Sequence, residues 1–186
     1  MEQRETEIKL RVKRPSLLKT RLRDAGATLL KRRHFEDNIV FDYRDGRIRR
    51  SGSLLRLRLA DGEATLTFKG RSRILKSTKA RLELETQVSD GKTALKILTC
   101  LGLRCAFRYE KFRTIFHKDA TLISLDETPI GDYIEIEGRP EAVRRLARQL
   151  GYQREDFITS TYVDLFNRYK AENRISTRNM IFGIRA

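Results

Sequence analysis

The chain has 186 residues, 39% of them hydrophobic and 35% charged. Lys plus Arg number 40 against 25 Asp plus Glu, a net charge of +15 that favours an anionic partner: nucleic acid, a membrane surface or a phosphorylated small molecule. No run approaches the ~20 apolar residues of a membrane helix, the opening Met1-Glu2-Gln3-Arg4-Glu5 lacks the apolar core of a signal peptide, and Cys100 and Cys105 are too few for a disulfide scaffold or a zinc finger. The expectation is a soluble, cytoplasmic, reduced protein of one domain.

In chain order, Glu5-Thr6-Glu7-Ile8-Lys9-Leu10-Arg11-Val12 alternates charged with mostly apolar residues, the period of a half-buried strand. Ser16 to Ala25 reads as a helix, with Pro15 before it and Gly26 as a stop. Alternation returns in Leu55-Arg56-Leu57-Arg58-Leu59, Thr65-Leu66-Thr67-Phe68-Lys69 and Arg81-Leu82-Glu83-Leu84-Glu85. Asp90 to Leu101 reads as a second helix, closed by Gly102, and it places Cys100 in a packed core. Looser alternation marks 110–116 and 123–126, and Ile134-Glu135-Ile136-Glu137 is strict. Helices are predicted at Pro140–Leu150, closed by Gly151, and at Thr161–Ala171. The helices at 90–103 and 140–152, each followed by Gly, suggest two pseudo-equivalent halves. Three basic clusters, Lys31-Arg32-Arg33, Arg47-Ile48-Arg49-Arg50 and Arg71 to Lys76, are read as loops on a solvated surface or as a funnel for an anionic substrate.

One strand of this kind is an ordinary amphipathic strand. Several together, with Glu-x-Glu and Arg-x-Arg on different strands, suggest that the ionic faces converge inside a closed antiparallel barrel, with helices covering the apolar outside. Charges gathered there must pair, stay wet or hold ligands. Grouped carboxylates suit Mg²⁺ or Mn²⁺, and grouped Arg and Lys suit phosphate, so together they suit a metal–polyphosphate complex.

The collinear series is more specific than any of its parts. Glu5-Thr6-Glu7-Ile8-Lys9 is an ExExK pattern. It is followed by Leu55-Arg56-Leu57-Arg58, Thr67-Phe68-Lys69-Gly70, Arg81 to Glu85, Tyr109 to Arg113, Leu125-Asp126-Glu127-Thr128, Gly131 to Gly138, and Ser160-Thr161-Tyr162-Val163-Asp164-Leu165. This series resembles the CYTH superfamily, the triphosphate tunnel metalloenzymes, over roughly residues 1–170, which implies a single tunnel domain there and a C-terminal tail over 171–186 that is disordered or docks onto a partner. The resemblance implies an α+β fold: an eight-stranded antiparallel β-barrel, the triphosphate tunnel, with helices packed outside. It implies Mg²⁺ or Mn²⁺ as cofactor and a triphosphate as substrate. Glu5, Glu7, Glu135 and Glu137 are then metal-side carboxylates, and Glu83, Glu85 and Asp126 either join them or hold the basic residues in place. Lys9, Arg56, Arg58, Lys69, Arg81, Lys111 and Arg113 are phosphate ligands, and Glu5, Glu7, Lys9 and Lys69 form the catalytic set. The segment His34 to Asp42 matches the family's stretch after the first helix, with no assigned chemistry.

The resemblance implies an enzyme: a triphosphatase acting on tripolyphosphate, thiamine triphosphate or a nucleoside triphosphate. The alternatives are an adenylate cyclase converting ATP to cyclic AMP and pyrophosphate, and a non-catalytic polyphosphate-binding module. Phe68, Tyr109, Phe112 and Tyr133 alternate with the ligand set or lie outside it, and by strand parity Phe68 and Phe112 face away from the tunnel, unable to stack on a base inside it, which favours hydrolysis. No helix-turn-helix, zinc module or RNP-like strand supports nucleic-acid binding, and no membrane partner is expected. A homodimer is left open. His34 and His117, in different segments, are read as surface or packing residues.

Overall fold

The computed structural model describes residues 6–71, 73–75, 78–80 and 82–183. Glu5 and Arg81 of the expected site lie outside the described residues, as do Ser72 and Lys76 of the third basic cluster. The strands are β1 (Thr6–Val12), β2 (Thr28–Asp42), β3 (Leu54–Ala60), β4 (Glu63–Lys69), β5 (Arg73–Leu75), β6 (Thr78–Ala80), β7 (Glu83–Val88), β8 (Arg104–Lys118), β9 (Thr121–Thr128) and β10 (Gly131–Gly138). The helices are α1 (Pro15–Asp24), α2 (Arg47–Arg50), α3 (Gly91–Cys100), α4 (Pro140–Gln149) and α5 (Tyr162–Asn173). Eight strands form one antiparallel sheet in the order β1-β10-β9-β8-β2-β3-β4-β7, and β5 and β6 form a small hairpin. Among the described residues β1 and β7 are the ends of that order.

The chain divides into two compact units. Unit 1 holds the chain up to His34 and Lys111–Ile175; unit 2 holds Phe35–Glu110 and the segment from Ser176. In unit 1, Ile8, Leu10, Val12, Ile123, Leu125, Ile134 and Ile136 bury one sheet face against Leu18 and Leu22 of α1 and Val143, Leu146 and Leu150 at α4. In unit 2, Ile39, Phe41, Leu57 and Ala64 pack with Leu98 of α3 and Leu103. Gly91 lets α3 come close, because a Cβ there would stand 2.5 Å from Leu59 Cδ2. Gly102 and Gly151 end their helices at φ of 83° and 88°. The two helix–Gly segments that suggested two halves therefore each cover the core of their own unit.

Several local expectations are corrected. Lys31, Arg32 and Arg33 lie inside the 15-residue strand β2 and not in a loop. Arg47–Arg50 is the short helix α2, whose amides at Ile48 and Arg49 donate to the buried Asp42 carboxylate. Part of the third cluster, Arg73–Leu75, is strand β5. Cys100 is exposed, on the face of α3 turned from Leu98. Leu84 is 57% exposed, so the apolar side of β7 is open at that position, while Val88 packs against the cluster that holds Leu98 of α3. The expected tail is built into the fold: α5 runs to Asn173, and Met180 is fully buried and pairs with β8 through the Glu110 and Met180 amides.

Candidate functional site

In unit 1, Lys9, Lys111, Arg113, Asp126 and Glu135 come together on one sheet face. Register explains it: Lys9 stands opposite Glu135 on β10, and Asp126 stands opposite Arg113 on β8. Lys9 Nζ is 3.1 Å from Glu135 Oε1. Asp126, with none of its surface exposed, accepts from Lys111 Nζ at 2.8 Å and from Arg113 Nε and Nη2 at 2.6 and 2.7 Å. Arg113 Nη2 also donates to Glu135 Oε2 at 2.5 Å. Burial alone would push the Asp126 carboxyl up, but the charges and hydrogen bonds of Arg113 and Lys111 outweigh it and hold it well below the usual carboxylate range. Burial and the Asp126 charge push Glu135 up, and Arg113, Lys111 and Lys9 bring it below its ordinary value.

Tyr162, which no alternating pattern marks, completes this cluster. It is the first residue of α5, placed by a capping box between Thr161 and Asp164. Its hydroxyl donates to Asp126 Oδ2 at 2.7 Å, while Lys9 and Lys111 lie 4.5 and 5.3 Å from its ring centre. Burial and the Asp126 and Glu135 charges push its hydroxyl well above the usual value. So α5 brings an aromatic ring to the ionic face.

In unit 2, cross-strand rows set a second cluster. Arg56, Thr67 and Glu85 stand in one row across β3, β4 and β7. Arg56 Nη2 donates to Thr67 Oγ1 at 3.2 Å, and Thr67 donates to Glu85 at 2.8 Å. Lys69 pairs with Glu83 at 2.9 Å. Arg58 faces Asn38 on β2, donates to its Oδ1 at 3.0 Å and lies 3.3 Å from Glu36. Glu36 and Asn38 are 2% and 0% exposed, which gives the His34–Asp42 segment a place in the ionic face. Arg56 Nη1 also donates to the Tyr109 hydroxyl at 3.4 Å. Tyr109 shares parity with Lys111 and Arg113, and Tyr133 shares it with Glu135, so both tyrosines lie on ionic faces, contrary to the sequence expectation. Tyr133 meets Tyr162 edge-on in unit 1.

Of the expected metal ligands, Glu7 and Glu137 stand directly opposite each other on β1 and β10. Like charges so placed are unfavourable without a cation nearby, and two carboxylates are what Mg²⁺ or Mn²⁺ takes when phosphate oxygens and water complete its shell. Glu83, Glu85, Asp126 and Glu135 contact Lys69, Thr67, Lys111 with Arg113, and Lys9 with Arg113, respectively. Glu83, Asp126 and Glu135 thus each meet a cation, and Glu85 meets a hydroxyl. Among the described residues, no group of three or more His, Cys, Asp or Glu side chains is close enough to hold a metal by itself. His117 is exposed, and His34 Nδ1 contacts the Arg32 carbonyl, in keeping with surface and packing roles. A groove of about 630 Å³ in unit 2, lined by Asp37, Asp61, Glu63 and Asp90 among others, is acidic and contains none of the expected site residues. No helix among the described residues is long and apolar enough to cross a membrane.

Comparison with known proteins bears on the fold and the family. The "Putative adenylate cyclase" of Methanocaldococcus jannaschii is 26% identical over 172 residues, which span 87% of this chain and 97% of that one. A Vibrio parahaemolyticus protein described as a putative adenylate cyclase superposes with a TM-score of 0.78 at 19% identity, covering 90% of this chain and 99% of its own. A Hippeastrum protein, described as a putative adenylyl cyclase with a dominant triphosphatase activity, superposes at 0.66 with 19% identity, covering 89% and 96%. The sequence pattern of the CYTH domain matches residues 3–162, and the chain belongs to the CYTH family.

Proposed function

We propose that the protein is a divalent-metal-dependent enzyme that hydrolyses a triphosphate, with inorganic tripolyphosphate, thiamine triphosphate and nucleoside triphosphates as the candidate substrates. The observation that carries this reading is the fixed cation set of unit 1: Lys111 at 1% side-chain exposure and Arg113 at 11%, both anchored by one fully buried carboxylate. A salt bridge that deep is poor at stabilising a fold, and its use lies in holding cations rigidly for a polyanion. Lys9, Lys111 and Arg113 would neutralise phosphoryl oxygens as charge shifts in the transition state. In unit 2, Arg56, Arg58 and Lys69 offer the same chemistry. Glu7 and Glu137 would hold Mg²⁺ or Mn²⁺, which when bound polarises a phosphoryl oxygen and orients the attacking water. The carboxylates at positions 126 and 135 keep the lysine and arginine side chains aimed, and Tyr162 keeps Lys9 and Lys111 over its ring.

Hydrolysis is also the dominant activity in the description of the Hippeastrum relative. A second reading, cyclisation of ATP, draws on the names of the Methanocaldococcus and Vibrio relatives and on the buried Tyr109 ring beside Arg56. The test is a product assay. Purified protein is incubated with tripolyphosphate, thiamine triphosphate or ATP, with Mg²⁺ or Mn²⁺ and with the metal chelated, and the products are separated by chromatography. Release of orthophosphate that stops on chelation is expected. Cyclic AMP with pyrophosphate as the dominant products would replace hydrolase by cyclase, and turnover undiminished by chelation would remove the metal.

A further inference from the structure

The Asn38 side chain is fully buried, yet its Nδ2 has no hydrogen-bond partner among the described residues. Its other end is fixed, since Oδ1 accepts from Arg58 Nε at 3.0 Å. That bond determines which way the amide faces: the oxygen is turned to the guanidinium, and the two N–H groups are turned elsewhere. A buried donor without an acceptor is costly, and native folds keep few of them. The surroundings define what the missing acceptor is. Arg58 stands directly across the register and Arg56 follows on the same face of β3, so the local field favours a negative oxygen. The neighbouring Glu36 carboxylate does not serve, because it is turned to Arg58 at 3.3 Å.

We propose that Asn38 is a substrate-binding residue of unit 2, whose Nδ2 donates to a phosphoryl oxygen beside Arg58. The inference rests on the triphosphate reading above and adds to it a neutral ligand that the charge pattern could not reveal. A neutral donor here has a chemical reason. It binds an anionic oxygen without a further positive charge that Glu36 would have to balance, and it holds Arg58 by the same side chain that meets the ligand.

The test measures tripolyphosphate binding to the full chain by calorimetry in metal-free buffer, with thermal melts run alongside to establish that each variant is folded. Asn38→Ala should weaken binding about tenfold, because one donor is lost. Asn38→Asp, which keeps the shape and the bond to Arg58 but sets a negative charge against the phosphate, should weaken it about a hundredfold or more. In the wild-type protein the Asn38 side-chain amide resonances should shift on addition of tripolyphosphate. Either folded variant binding within twofold of wild type, or amide resonances that do not move on saturation, would overturn the proposal and leave the triphosphate reading standing. A wild-type protein that binds none of tripolyphosphate, thiamine triphosphate and ATP, with or without Mg²⁺, would overturn both.

Discussion

Asp126 shows how one residue can be read correctly for its side of the sheet while its partners stay hidden. Alternation puts it on the ionic face with Ser124, but it does not say that a tyrosine from a later helix will share its oxygen with Lys111. Tyr162 carries no charge and opens a helix, so no strand period marks it. Glu36 and Asn38 share a face of β2, where Asn38 stands opposite Arg58, but Asp37 on the apolar side and Val40 on the ionic side break the alternation there. Titration tests the anchoring role of Asp126. Its carboxyl lies below its ordinary 3.8 and that of Glu135 below 4.5. Both contributions are therefore complete above those values and decline as the pH falls, when the unfolded chain takes up protons that the folded chain refuses. Urea melts of the wild-type protein should lose stability from about pH 5 downward. Asp126→Asn should flatten that slope and cost about 3–5 kcal/mol at pH 7, because Lys111 and Arg113 keep their charges and lose their shared counter-charge. A variant that melts with the wild type at pH 7 would show that Asp126 anchors neither cation.

At the scale of elements, alternation located β1, β3 and β4 to within a residue or two, and the second half of β10, because their hydrophobic side is buried and any slip would exchange the two faces. Helix ends followed from Pro140 and from Gly102 and Gly151, whose roles are local. What escaped was sequence whose charge does not reflect its conformation. Lys31-Arg32-Arg33 is strand at the exposed start of β2, and Arg47–Arg50 is helix because Asp42 collects the amides at its start. Leu57 gives the face assignment a direct test. It is fully buried with α3 over it, while Arg56 and Arg58 on either side face the other way. Leu57→Ala should lower stability by about 2–5 kcal/mol through the cavity it leaves. In the folded protein it should leave tripolyphosphate affinity unchanged, as denaturation and calorimetry together would show. A large loss of affinity without a loss of stability would reverse the assignment of faces.

For the whole molecule, the question is where a net charge of +15 resides. On the ionic faces, cations are largely matched: Lys9 with Glu135, Lys111 and Arg113 with Asp126, Lys69 with Glu83, and Arg58 with Glu36. The excess therefore lies largely in exposed Lys and Arg, including Arg32, Arg47 and Arg49, while the exposed Arg33 and Arg50 are met by Glu127 and Asp45. The two populations respond differently to salt. Exposed charges act at long range and are screened over about 30 Å at 0.01 M ionic strength but only about 10 Å at 0.1 M. Buried pairs sit where small ions do not enter and are screened far less. If the surface charge draws the substrate in and the buried cations hold it, salt should act mainly on arrival. Stopped-flow measurements should find the association rate of tripolyphosphate falling about tenfold or more between those two ionic strengths, with the dissociation rate changing much less. A flat association rate would mean that the exposed arginines face away from the path of the substrate. A dissociation rate that rises as steeply as the association rate falls would mean that the phosphate is held by solvated side chains and not by the buried set around Asp126.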